Sequence, residues 1–474
     1  MSEDSSKKEA CGIFAVHGAD DPAQLIYLGL YSLQHRGQES AGIVVSDGID
    51  VDAHKGMGLI GDVFKEDRLA KMKGTMGIGH VRYSTTGSSM LRNAQPFLVE
   101  QIDRVFALGH NGNIVNIGGL RRKLEARGAV FQTSTDSELI AHLILHKKGS
   151  LEERLVRVFE ELRGAWSVVM LTPGGILAAR DPFGFRPLCI GKRGDAIIFA
   201  SETCALDIVD AEYVRDVEPG EIVIADHNGL RSVHYGRKPN RAMCIFEYIY
   251  FARPDSMIFE HGVYNVRKQL GFQAALENPA PGADIVCPMP ASGNYAALGF
   301  AQGSGLPFEY GVIRNHYVGR TFIQPSAGIR NLGVRLKLNP VKEVLKGKKV
   351  VVVDDSVVRG TTSKLRTRAL REAGAGEIHM RISCPPIRHP CFYGIDFSSK
   401  GELIACNNTV ERICQFIGAD SLAYLSLESM FKAMPWPADQ FCTACFTGKY
   451  PVKVTEDSTK NVLECRAVDG MNWP

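Results

Sequence analysis

Short apolar runs that alternate with polar residues, each ending in a turn signal, fill the chain from residue 11 to about 235. GIFAVHG, AGIVVSDG, GIGHVRYSTTG, VFALGHNGNIVN, WSVVMLTPGGILAARD, DAIIFASET and GEIVIADHNG read as strands. Two stretches, PAQLIYLGLYSLQHRG and DSELIAHLILHKKGSLEERLVRVFEELRG, carry apolar residues at helical spacing instead. Strands dominate and helices come in blocks, which predicts an α+β domain of sheets packed with helical layers over residues 11–235.

The pattern changes at about residue 262. ADIVCPMP, NYAALGFAQGSG and PFEYGVI form one strand, helix, strand unit, and KGKKVVVVDDSVVRGTTSKLRTRALREAGAGEIHMRISCPP forms another. Continuous apolar strands joined by helices predict a parallel sheet covered on both faces, a doubly wound α/β domain over 262–420. Residues 236–261 join the two domains. The tail, 421–474, is too short for a domain of its own.

Composition narrows the function. The 474 residues are 45% hydrophobic and 23% charged, with a mean hydropathy of −0.06. Lys+Arg 55 against Asp+Glu 52 leaves a charge of +3, too small for a nucleic-acid or membrane surface. No apolar run reaches the ~18 residues of a membrane helix, and no signal peptide or transit-like segment opens the chain. These features predict a cytoplasmic protein. The twelve cysteines lack the spacing of a secreted disulfide scaffold and are expected to be core residues, metal ligands or nucleophiles.

Residues 350–363, VVVVDDSVVRGTTS, carry the strongest local signal. Four valines make a strand buried on both sides, and Asp354 and Asp355 arrive at its carboxyl end, where such sheets bind ligands. A glycine, three hydroxyls and backbone N–H groups then meet at a helix start, an anion site suited to phosphate. The stretch resembles the fingerprint of type I phosphoribosyltransferases, which bind phosphoribosyl pyrophosphate. That resemblance implies that Asp354 and Asp355 hold the ribose hydroxyls and help position Mg²⁺. It implies that Ser356, Arg359, Gly360, Thr361, Thr362 and Ser363 wrap the 5-phosphate, and that Ser292 of PMPASGN sits at the pyrophosphate loop near the metal. The family often has an acidic residue where this chain has Ala291. Between the two motifs, YVGRTFIQPSAGIRNLGVRLKLN gathers Arg320, Arg330, Arg335 and Lys337 among glycines, as a basic flap closing over pyrophosphate would.

A polar leader, MSEDSSKKE, meets the first strand at ACGIFAVHG. Cys11 could be a small buried residue. A lipidated cysteine needs a preceding apolar segment, and none precedes it. Removal of residues 1–10 would instead leave Cys11 with a thiol and a free α-amine. CGIFAVHG, LQHRGQESAGI, GIGHVRYSTTG, GHNGNIVN and STDSELIAHL together resemble class II glutamine amidotransferases, N-terminal-nucleophile (Ntn) hydrolases with an αββα sandwich whose mature chain begins with the catalytic cysteine. The resemblance implies that residues 1–10 are a propeptide and that Cys11 attacks the side-chain amide of glutamine. Asn111 and the N–H of Gly112 then form the oxyanion hole, Arg82 pairs with the α-carboxylate and Asp136 holds the α-ammonium.

The two resemblances together imply pentosyl transfer fed by glutamine, the first committed step of purine synthesis. Glutamine, water and phosphoribosyl pyrophosphate would give phosphoribosylamine, glutamate and pyrophosphate. The alternative is a base-specific phosphoribosyltransferase with a regulatory N-terminal domain. The aromatic run CIFEYIYFARPDS (244–256) bridges the domains. Cys442 and Cys445 form C-x2-C, by itself compatible with zinc, redox chemistry or neither. With Cys244 and Cys391 they match the iron–sulfur subclass of enzymes that join these domains, which implies a [4Fe–4S] cluster. Cys189, Cys204, Cys287, Cys384, Cys406, Cys414 and Cys465 match no ligand position. A homotetramer and feedback inhibition by purine nucleotides are further implications of the resemblance.

Overall fold

The computed structural model describes residues 11–83, 89–101, 104–236, 241–315, 338–395 and 400–454. The leader, Arg320, Arg330, Arg335, Lys337 and Cys465 lie outside them.

The first domain is built on two antiparallel sheets. One has the order β11 (Glu212–Asp216), β9 (Cys189–Arg193), β10 (Ala196–Ala200), β1 (Gly12–His17), β4 (Met76–Arg82), β2 (Ser40–Ser46), β3 (Val51–Met57). The other has the order β13 (Gly229–His234), β12 (Glu221–Asp226), β8 (Gly175–Arg180), β7 (Gly164–Thr172), β6 (Arg104–Ile114), β5 (Phe97–Gln101). Strand alternation builds the layers. Ile13 and Ala15 of β1 face the second sheet in one core with Ile78, Ala107, Val169 and Ala178. Phe14 and Val16 face the other way, against Ile26 and Leu30 of α1 (Pro22–Ser32). On the far side, Leu108, Trp166 and Val168 pack under α2 (Ile117–Glu125), α3 (Asp136–His146) and α4 (Leu151–Glu161). The result is the αββα sandwich.

The long helical stretch after residue 135 is two helices. Gly149 has φ +106°, where a right-handed helix cannot continue, and Ser150 with Glu153 forms a capping box that starts α4.

In the second domain α5 (Val263–Glu277) precedes a parallel sheet of β15 (Ile285–Pro288), β16 (Lys349–Asp354), β17 (Glu377–Ile382) and β18 (Ser421–Tyr424), in that order. After α6 (Asn294–Ser304), Phe308 joins the opposite edge of β15 through a parallel bridge to Val286. The chain therefore crosses from one side of β15 to the other, which places the topological switch between β15 and β16, where doubly wound sheets bind ligands at the strands' carboxyl ends. Because β18 lies in this sheet, the domain runs past residue 420, where the hydrophobic pattern placed its end. The tail returns to the domain junction through β19 (Phe441–Cys442), parallel to β14 (Met243–Cys244). No helix among the described residues is long and apolar enough to cross a membrane.

A buried charge network ties the junction together. Arg36, Arg186, Glu202 and Glu247 are each at most 1% exposed. Arg36 pairs with Glu202 and, through Nη2 at 2.7 Å, with Glu247, which Arg186 Nη1 also meets at 2.9 Å. Glu247→Ala is expected to lower stability by about 3–5 kcal/mol, because it removes from the interior the carboxylate that two buried guanidiniums share. The midpoint of denaturant unfolding measures this, and a shift under about 1 kcal/mol would show the network to be dispensable.

Candidate active sites

The first site lies between the two sheets at one end of β1, β4 and β6. Alternation carries Cys11 and Ile13, Ile78 and Arg82, and Ala107 and Asn111 to the same inner face. Gly12 pairs with Val81, so Cys11 and Arg82 arrive side by side. The Cys11 thiol is 5% exposed and donates to Tyr83 O at 3.5 Å. Burial pushes it up to about 11, Arg82 pulls it down, and Asp136 and Glu39 raise it. At neutral pH it is a thiol that needs a base.

Asn111 is 0% exposed, yet neither its Oδ1 nor its Nδ2 has a partner. An unpartnered buried amide costs about 1–3 kcal/mol, so the site holds this group ready for something else. The neighbouring Gly112 has φ +148°, and a Cβ there would lie 2.1 Å from Ala165 O, which excludes every other residue. Asp136, in the first turn of α3, meets His110 Nδ1 at 3.1 Å through Oδ1, while its buried Oδ2 has no partner. Burial raises the Asp136 carboxyl, but His110 and Arg82 outweigh it and hold it below the usual carboxylate range. His80 donates through Nε2 to His110 O at 3.0 Å. Burial lowers it to about 3, so it stays neutral. The sequence reading missed Glu39, His80 and His110. All three had a local signal, Glu39 lying inside LQHRGQESAGI and His80 and His110 inside GHVR and GHNG.

The second site opens at the switch point. Asp354 and Asp355 end β16, each 2% exposed. Arg366 Nη1 donates to Asp354 Oδ2 at 3.1 Å, and the Ser356 hydroxyl donates to Asp355 Oδ2. Gly360, with φ +77°, turns the chain into α7 (Thr361–Glu372), whose first turn holds Thr361, Thr362 and Ser363. The turn after β15 carries Ser292, half-buried, and a cis Pro290–Ala291 peptide. A Cβ on Gly293 would sit 2.3 Å from Val353 O, so this turn lies directly against the end of β16. Arg359 instead reaches away to Glu402, at 2.9 Å.

Among the described residues no three His, Cys, Asp or Glu side chains lie close enough to hold one metal ion. Two hard carboxylates fit Mg²⁺ all the same, since that ion keeps waters and takes most of its oxygens from a bound pyrophosphate or phosphate. Cys244 lies directly across from Cys442, and burial, with Cys442, Cys391 and Cys244 adding to it, holds the Cys445 thiol well above its ordinary value. Burial pushes Cys244 up to about 12 against the pull of Arg186. Four thiols are the soft donor set a [4Fe–4S] cluster takes, and here Cys442 and Cys445 are buried while Cys244 and Cys391 are half-buried. Cys384 also acts on Cys445, and Cys189, Cys204 and Cys287 are buried in the cores.

Residues 80–207 match a family described as a glutamine amidotransferase domain. An amidophosphoribosyltransferase of Bacillus subtilis is 49% identical over 464 residues, covering 97% of this chain and 97% of that protein. The chloroplastic amidophosphoribosyltransferase of Glycine max is 48% identical over 474 residues, covering 99% of this chain and 82% of its own. Among solved structures, the B. subtilis glutamine phosphoribosylpyrophosphate amidotransferase complexed with ADP and GMP superposes with a TM-score of 0.90 at 48% identity, covering 96% of this chain and all, 100%, of that one.

Proposed function

The chain belongs to the amidophosphoribosyltransferase family, and from that premise we propose how its two sites divide the first step of purine biosynthesis. It is a glutamine-dependent pentosyltransferase that turns glutamine, water and phosphoribosyl pyrophosphate into phosphoribosylamine, glutamate and pyrophosphate.

In this reading residues 1–10 are removed, and the new α-amine, with an ordinary pKa near ~8, takes the proton of Cys11. The thiolate attacks the side-chain amide carbon. The C–N bond breaks as the Cys11 α-ammonium returns its proton and ammonia leaves, and water then cleaves the thioester to give glutamate and restore the thiol. Asn111 Nδ2 and the Gly112 N–H donate to the oxygen that becomes negative, a contribution of a few kcal/mol each, about 3. Arg82 grips the glutamine α-carboxylate in a bidentate fork, and Asp136 accepts from the α-ammonium through Oδ2. The single observation that carries the assignment is the fully buried, unpartnered amide of Asn111 on the face shared with Cys11.

Ammonia then passes the buried aromatic junction at Phe246, Tyr248 and Phe251 to carbon 1 of the ribose and displaces pyrophosphate. Asp354 and Asp355 hold the ribose hydroxyls, Ser356 and Gly360–Ser363 the 5-phosphate, and Arg320, Arg335 and Lys337 the leaving pyrophosphate. Ser292, Asp354 and Asp355 are the residues that would hold Mg²⁺, which neutralises pyrophosphate when bound. Cys244, Cys391, Cys442 and Cys445 would hold a [4Fe–4S] cluster, which supplies a rigid link between the junction, the second domain and the tail. The enzyme works in the cytoplasm as a homotetramer restrained by purine nucleotides.

Intact mass under native and denaturing conditions after anaerobic purification tests this. The expected result is loss of residues 1–10 and a native excess of four irons and four sulfides. A retained leader would sink the role of Cys11, and a native mass without iron would sink the cluster.

A further inference from the structure

The segment Cys391–Gly394 lies outside the parallel sheet and sits against the end of β6. Asn113, two residues beyond Asn111, donates through Nδ2 to Phe392 O at 2.8 Å. Arg186, 0% exposed, donates through Nε and Nη2 to Tyr393 O at 3.2 and 2.8 Å. Gly394, with φ +101°, approaches so closely that a Cβ on it would lie 2.9 Å from Arg186 Nη2 and 3.1 Å from the carbonyl carbon of Gly112.

The same arginine belongs to the buried charge network. Its Nη1 meets Glu247 Oε1 at 2.9 Å, Glu247 accepts from Arg36 Nη2 at 2.7 Å, and Arg36 Nε donates to Cys11 O at 3.2 Å. One unbroken chain of contacts therefore runs from the carbonyl of Cys11 through Arg36, Glu247, Arg186 and Tyr393 to Gly394, which rests on Gly112. Both ends of that chain are halves of the hydrolytic site.

We propose that Arg186 and Gly394 are positioning residues for glutamine hydrolysis: through the Cys391–Gly394 segment, the phosphoribosyl-transferring part of the chain sets the oxyanion donor Gly112 at its distance from Cys11. The proposal rests on the reading of Cys11, Asn111 and Gly112 as the hydrolytic machinery. Its physical basis is tolerance. An oxyanion hole must be held to within about 0.5 Å, and misplacement by about 1 Å costs on the order of 100-fold in rate. The sheet holds Gly112 on one side through its pairing with Trp166, and, with no side chain of its own, it is met on the other by Gly394.

Three variants of the full-length protein test this. Arg186→Lys keeps the charge that faces Glu247 but loses the planar fork on Tyr393 O. Asn113→Ala frees Phe392 O, and Gly394→Ala forces a Cβ against Arg186 and Gly112. In Arg186→Lys and Gly394→Ala the expected kcat for glutamine hydrolysis falls about 10- to 100-fold with KM for glutamine within about threefold. Asn113→Ala falls less, by about three- to tenfold. Phosphoribosylamine formation from ammonium salts stays within about twofold in all three.

A parallel loss of both activities would mean that the segment serves only folding and would overturn the proposal. So would a wild-type glutaminase kcat in Arg186→Lys, which reads the idea even if Gly394→Ala fails to fold. A Cys11→Ala protein that still hydrolyses glutamine would instead overturn the underlying assignment of the site.

Discussion

Cys11→Ala is expected to lower glutamine hydrolysis by about 10⁴-fold or more while phosphoribosylamine formation from ammonium salts stays within about twofold. The asymmetry follows from the architecture. Cys11 leads into β1, between the sheets of the first domain, whereas Asp354 ends β16 in the parallel sheet of the second domain and Asp355 follows it, so ammonia from solution bypasses the first site. Measuring pyrophosphate release with glutamine and then with ammonium as nitrogen donor separates the two. Equal loss of both activities would show that the thiol is structural. The pH profile of the unaltered enzyme adds a second readout. Burial pushes the Cys11 thiol up to about 11, so ionisation of the isolated thiol would make the rate climb toward that pH. With the α-amine as base, kcat/KM for glutamine rises as the amine loses its proton near ~8 and is flat above about 9.

The second large effect is at the other end of the chain. Asp354→Asn and Asp355→Asn are each expected to cut phosphoribosyl transfer by about 10²- to 10³-fold with either nitrogen donor, with glutamine hydrolysis by the first domain retained. Both carboxylates are 2% exposed at the end of a strand whose valines, Val350 to Val353, are at most 1% exposed. Each substitution keeps size and one oxygen but removes the negative charge that the proposed Mg²⁺ and ribose contacts would use. The ammonium-dependent assay at saturating Mg²⁺ measures the effect directly. A loss under about threefold in both variants would mean that the acids only shape the turn, a task in which Asn serves nearly as well.

Much of this was legible along the chain. β1, β2, β4, β6, β7, β8, β10 and β12 all announce themselves because each has at least one buried face, which imposes alternation or an apolar run. β3 and β13 do not. Their sequences, VDAHKGM and GLRSVH, are half-buried or exposed throughout, and each is held as an edge strand by pairing with one neighbour, β2 or β12. Helix α2, IGGLRRKLE, was silent because two glycines weaken its propensity, and it forms by packing Leu120 and Leu124 on the second sheet.

The candidate sites divide in the same way. VVVVDDSVVRGTTS works through neighbours in sequence: strand, acids, turn and helix start are consecutive, so local order specifies both the fold and the proposed phosphate cradle. Asn111 and Gly112 are likewise adjacent on one strand. Arg36 and Arg186 are different. In the sequence they look like ordinary cations of LQHRG and GFRP. In the fold, Arg36 meets carboxylates 166 and 211 positions away, and Arg186 meets a carbonyl 207 positions away. Composition and pattern thus determined the two domain classes and the strand, acid pair, turn and helix start at the end of β16, while the role proposed for Cys11 came from the resemblance its motifs carry. Tertiary structure alone decided which charges are desolvated together, that Asn111 keeps a buried amide without a partner, and that Gly394 presses on Gly112. These are pairings between distant segments, and a period read along one strand or helix says which face is buried but not what it is buried against.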